Sequence, residues 1–284
     1  MQVIGDIFNL FFYGPILNVL VGIYHALNFV HLPGALGFAI ILMTVLIRLA
    51  VWPLMASQMK SVKKMAELKP HIDALKEKHK GDKQAFASAQ MALYKEHGVN
   101  PAGGCLPSLL QFPIIIALYQ TIFAFFSDGS GLEKINQALY LPAWHLPSAP
   151  DLTFFGLNLA TKPSDFLVSA FILVPLVTAG LQFAQSKMMA QKPVAVYKTD
   201  KPKEIKEKGK SEDAMAAMQG QMMYMMPLMV GWFAFQFPIG IALYWNTFTI
   251  LGIVQQHKIS GWGGLEGWIK KVQSLTPRLR SGQE

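Results

Sequence analysis

Arg48 is the one charged residue in the apolar run GALGFAIILMTVLIRLAVWPLM, residues 34–55. A guanidinium near the middle of a membrane span costs about 2.5–3.5 kcal/mol on insertion scales. It therefore needs a partner, water or a route out, and the chemistry open to it is attraction of an anion. Thr44 lies one helical turn earlier and points the same way. Other apolar runs hold Gln111, Thr178, Gln182, Asn246 and Thr247. Each alone reads as an interhelical hydrogen-bonding group, worth about 0.6 kcal/mol on average. Together, around an Arg with no acid in any span, they point to a hydrated cavity. The alternative is snorkelling, in which the long Arg48 stem carries its charge toward the headgroups beyond Met55.

Catalytic chemistry is not visible. The sequence has no Walker loop, no GxGxxG and no HExxH. The spans hold no Asp or Glu pair, and Ser169 has no motif or base beside it. The seven His are scattered, and the single Cys105 gives neither a disulfide framework nor a zinc spacing. Asp165 reads as a helix cap within Pro-Ser-Asp. The expectation is a non-enzyme with no cofactor and no metal.

The elements that must position these residues are membrane helices. The 284-residue chain is 52% hydrophobic and 15% charged, where soluble domains carry about 25% charged residues. Apolar segments predict spans at 34–55, 106–126, 166–184, 218–237 and 238–257, the last two a tight hairpin split by Pro238. Nine Lys fall in 56–105, eight in 186–216 and five Lys or Arg in the tail 258–284, against Lys134 and Lys162 alone in 127–165. Positive residues collect on the cytoplasmic side. The layout is five spans with the N-terminus outside and the C-terminus cytoplasmic. The net charge of +8 is then a topology signal and calls for no nucleic-acid site.

Residues 1–33 are expected to hold an interfacial amphipathic helix, with Asn18, Gly22 and His25 on one face. A sixth span over 7–31 is the alternative. Residues 56–105 predict a helical hairpin. One helix carries Met55, Met59, Val62, Met65, Leu68, Ile72 and Leu75, a break follows at His79-Lys80-Gly81-Asp82, and a second helix runs over 83–96. Its charged faces and thin seam predict mobility, and a solvated linker is the plainer reading. Residues 185–217 read as a cytoplasmic loop. Seven of the fifteen Met fall in 215–229, either as span packing or as a surface for varied apolar partners.

Several strings resemble the YidC/Oxa/Alb membrane protein insertases, and a bacterial member in particular. They are TVLIRLAVWPL, SQMKSVKKMAELKPHIDALKEKHKGD, LYKEHGVNPAGGCLPSLLQFPIIIALY and FPIGIALYWNTFTILGIVQQ. The resemblance covers roughly 34–126 and 215–257. It implies an all-α polytopic fold of five transmembrane helices, with a cytoplasmic hairpin after the first. It implies a hydrophilic groove open to cytoplasm and lipid and closed outside. The match would put the groove charge at Arg48, its polar wall at Thr44 and Gln111, and substrate contacts at Tyr244 and Trp245, with Asn246 nearby. As partners it implies nascent membrane proteins and the lipid bilayer, with the Sec translocon, signal recognition particle receptor and ribosome beyond them. The expected form is a monomer in the bacterial inner membrane.

The large periplasmic domain of Gram-negative members and the lipoprotein anchor of Gram-positive ones are expected to be missing, and loop 186–214 is longer than usual. A small-anion transporter or channel using Arg48 as binding charge is the competing function, although no internal repeat supports it. An assembly chaperone that packs the spans of other proteins is the third.

Overall fold

The structure, a computed structural model, describes residues 2–100, 106–126, 130–165, 170–189 and 224–275. It is helical almost throughout. Helix α1 comprises Gln2–Phe8, a π-helical turn Asn9–Tyr13 and Gly14–Phe29. Helix α2 (Ala35–Ala50) packs against it, and Leu17, Leu20, Leu36, Ile40 and Met43 are fully buried between them and their neighbours.

The apolar run 34–55 does not make one unbroken helix. Helix α2 stops at Ala50, and α3 (Trp52–Glu67) departs at 61°. Pro53 explains the break, since it has no amide to donate and its ring crowds the preceding turn. The same device recurs at Leu68, where Pro70 ends α3 and opens α4 (Lys69–Lys78). The expected unbroken run to His79 is therefore two helices. Helix α5 (Lys83–Glu96) returns after the predicted break, and Asp82 caps it by accepting from the Gln84 and Ala85 amides. No residue of α4 or α5 is buried.

Helix α6 (Leu106–Phe126) matches the expected bounds and carries Pro113 within it. Helix α7 (Ser130–Ala138) and an irregular segment follow, then a two-stranded hairpin, β1 (Thr153–Phe154) against β2 (Leu157–Asn158). Helix α8 (Leu173–Met189) starts later than 166 and runs past 184; residues 166–169 lie outside the described set. Asp165 does not cap it. Asp165 ends a separate 3-10 turn, Pro163–Asp165, and another turn, Ala170–Ile172, leads into α8. Helix α9 covers 224–236, and α10 (Ile239–Ser260) runs 22 residues, three beyond the apolar segment that predicts it. Two free amides at the start of α10, on Ile239 and Gly240, donate to the Thr161 and Leu159 carbonyls. That clip fixes where α10 enters the bundle. A short turn then leads to α11 (Glu266–Leu275).

Apolar side chains cover the outside as well as the core. Leu42, Leu46 and Leu49 on α2, Phe112 and Ile116 on α6, and Leu228 and Trp232 on α9 are all exposed. A contiguous apolar exterior of this kind belongs in contact with lipid or protein. Among the described residues α1, over Val3–Phe29, is the one helix long and apolar enough to cross a bilayer by itself; the bent pair α2–α3 is so jointly.

The polar face of α1 is not turned to solvent or headgroups. Asn18 is 3% exposed; its amide donates to the Gly14 and Ala138 carbonyls, and its oxygen accepts from the Tyr140 amide. His25 Nε2 bonds the Trp144 carbonyl at 2.8 Å. Exposed on α1 instead are Val3, Ile4, Ile7, Leu10, Phe11 and Val19. Asn18 and His25 thus satisfy the irregular segment after α7.

Candidate functional site

The break at Val51 places Arg48 in the last turn of α2. Helix C-termini favour cations, because unpaired carbonyls gather there. The side chain does not snorkel: it is 3% exposed and packs against α10. Helix α10 receives it with one face, Tyr244, Phe248 and Gly252, spaced by four residues. Arg48 Cζ stands 4.2 Å from the centroid of the Phe248 ring. Gly252 makes the approach possible: a Cβ there would come within 2.7 Å of a guanidinium nitrogen and would overlap the amide nitrogen of Gln185.

Two expected groove residues join this cluster. Thr44 is fully buried one turn before Arg48, and its hydroxyl donates to the Ile40 carbonyl at 2.6 Å. Gln111 Nε2 donates to the Tyr244 hydroxyl at 3.1 Å, which ties α6 to α10. Tyr244 is 2% exposed and lies one turn before Phe248 on the face of α10 that receives Arg48. Thus Arg48, Thr44, Gln111 and Tyr244 converge.

The remaining expected residues lie round the helix. Trp245 Nε1 donates to Gln182 Oε1 at 3.2 Å, joining α10 to α8. Asn246 is two residues past Tyr244, roughly 200° away on the helix, and its buried Oδ1 has no partner. It does not share the face that holds Arg48. Thr178 and Thr247 spend their hydroxyls on the Val174 and Leu243 carbonyls of their own helices.

The electrostatics are unbalanced. No carboxylate pairs with Arg48 among the described residues, and its Nε has no hydrogen-bond partner. A desolvated cation–π contact contributes about 2 kcal/mol. An unmade buried hydrogen bond costs about 1–3 kcal/mol, more for a charged group. The ring holds the guanidinium in place without satisfying its Nε donor. Such a site attracts an acceptor, and an anionic one best.

Phe248, Gln185 and Gly252 escaped sequence reading, although the four-residue spacing from Tyr244 was a usable signal. Gln255 escaped as well. It is fully buried, and its Nε2 donates to the Trp52 carbonyl at 3.0 Å. That bond pins the α2–α3 bend to α10. Cys105 lies outside the described residues, which also hold no cluster of His, Cys, Asp or Glu fit for a metal ion.

Comparison with known proteins places these features in a wider set. The model of the 60Kd inner membrane protein family matches residues 28–262. The membrane protein insertase YidC of Fusobacterium nucleatum is 32% identical over 80% of this chain and 86% of its own length. The proteins of the same name from Cupriavidus pinatubonensis and Rickettsia rickettsii are 34% and 31% identical over 79% and 84% of this chain. This chain spans about a third of the length of those two, 32% and 38%. Among solved structures, an active YidC insertase with its first transmembrane domain resolved superposes with a TM-score of 0.54 at 24% identity. That match covers 87% of this chain and 46% of the other, and it speaks to the fold.

Proposed function

We propose, from the premise that this chain belongs to the 60Kd inner membrane protein family, that it is a membrane protein insertase. The observation that carries the reading is Arg48: a buried cation with an unpartnered donor, no carboxylate and a polar margin from Thr44, Gln111 and Tyr244. The shared name of its relatives supports the same reading.

The task is to move a short polar segment of a nascent chain past hydrocarbon. Arg48 attracts acidic residues of that segment, and a low local dielectric strengthens the attraction. Gln111 and the Tyr244 hydroxyl offer neutral hydrogen bonds beside it. Trp245 and Gln182 extend the polar surface toward α8. The apolar segment then partitions into lipid, at roughly 0.8 kcal/mol per CH2 buried. No step needs a cofactor.

Sidedness follows the basic residues. The hairpin α4–α5, the segment between α8 and α9 and the tail are cytoplasmic, and the segment 127–165 is outside. The five spans are α2 with the start of α3, α6, α8, α9 and α10. Helix α1 lies along the outer interface. Its contacts with the outer segment support that: from Gly14 to His25 it touches Tyr140, Ala138 and Trp144, a stretch of about 16 Å at 1.5 Å per residue. A spanning helix would touch that segment at one end only. Nascent membrane proteins are the substrates, and the Sec translocon, the signal recognition particle receptor and the ribosome are the further partners.

Purified protein in liposomes tests the function. A short single-span substrate should gain protease-protected, membrane-integrated form in proportion to the protein present. Insertion no better than in empty liposomes would refute the proposal.

A further inference from the structure

We infer that residues 257–271, together with Lys187, form a docking surface for anionic lipid headgroups; this rests on reading that end of the bundle as its cytoplasmic margin. The C-terminal ends of α8 and α10 and the N-terminal end of α9 meet there. Tyr224 of α9 lies 6.0 Å from Phe183 of α8, ring to ring, and Phe183 lies 6.0 Å from Trp268 of α11. The chain turns back after α10 through Gly261 and Gly263. Gly263 sits so close to the Met188 carbonyl that a Cβ would overlap it. Helix α11 is thereby held at the end of α8, level with the ends of the spans.

Its outward surface is aromatic and basic. Trp268 is 56% exposed and Trp262 is 40% exposed. The Trp262 and His257 rings lie 4.3 Å apart, tilted by 38°, and Lys187 Nζ stands 5.0 Å above the Trp268 ring. Lys258, Lys270 and Lys271 are exposed on the same segment. One acid accompanies these four lysines, Glu266, and it pairs with Lys270 at 3.2 Å. Indoles sit at headgroup depth, with one end apolar and the other wet. Each lysine near an anionic leaflet strengthens association about fivefold. Net positive charge, two exposed indoles and a position level with the ends of the spans fit a lipid phosphate. Single-stranded nucleic acid also takes aromatic and basic surfaces, but the described residues lay out no groove to track its backbone.

The experiment is hydrogen exchange on the full chain in nanodiscs of phosphatidylcholine alone or with about one third phosphatidylglycerol. Residues 263–271 should exchange at least about fivefold more slowly in the anionic discs, and high salt should remove the difference. The triple variant Lys187→Gln, Lys258→Gln, Lys271→Gln should lose it. Trp268→Ala, with every lysine retained, should lose most of it. Exchange over 239–256 reports whether each variant is folded. Equal exchange of wild type in both discs, an unchanged lipid effect in both variants, or protection by RNA without protection by lipid would overturn the inference. Both faces of a nanodisc are open and no insertion is read. A failure of the topology or of the insertase reading would therefore show separately.

Discussion

The Arg48 guanidinium lies over the Phe248 ring, 4.2 Å from its centroid, and the ring holds a cation that no carboxylate pairs with among the described residues. Phe248→Leu should release that side chain. The expected loss is about 1–2 kcal/mol of stability, seen as a lower Tm in detergent. In a double-mutant cycle with Arg48→Ala the two changes should be non-additive by a similar amount. Additive effects would mean that ring and cation are independent.

Asn18 joins α1 to the segment after α7 by bonding both the Ala138 carbonyl and the Tyr140 amide. Asn18→Ala leaves those part-buried groups without this partner, at about 1 kcal/mol each, the low end of the cost of an unmade hydrogen bond. The protein should become markedly less stable, and exchange at Tyr140 should speed up. An unchanged Tm would mean that α1 is loosely attached.

The hairpin should move relative to the spans. Neither α4 nor α5 buries a residue, and elements with few buried contacts open readily. Lys83–Glu96 should exchange its amides faster than Leu106–Phe126. Equal protection would count against a mobile hairpin.

Topology is open to single-cysteine labelling with an impermeant reagent in intact cells. Positions 83, 206 and 284 should stay unlabelled, and position 134 should label. Labelling of 206 from outside would invert the layout.

Much of this was legible in the sequence, for reasons that differ by element. The bounds of α6 follow from a mostly apolar run with no charge, and the start of α5 from the Gly81-Asp82 break and its cap. Arg48, Thr44 and Gln111 stand out because polarity is expensive in a span. Legibility failed where tertiary contact decides. Pro53 was in view, but whether it kinks or ends a helix depends on what holds the two halves, here Gln255 on the Trp52 carbonyl. The polar face of α1 suggested contact with headgroups, because nothing in the sequence says that Asn18 and His25 meet a segment some 120 residues away. Phe248 looked like any span aromatic until α10 was set against α2.

The central claim is that Arg48 works through its charge. The measurement is insertion yield in liposomes for one substrate, with its translocated acids present or neutralised, in wild type, Arg48→Lys and Arg48→Ala. Lys keeps the charge and loses the planar fork, so that variant should retain substantial yield for both substrates. The Ala variant should lose most of its yield, roughly tenfold, for the acidic substrate and much less for the neutral one. A loss of tenfold corresponds to about 1.4 kcal/mol, within the reach of one partly desolvated ion pair. If Arg48→Ala lowers both substrates equally, or neither, the electrostatic account is wrong.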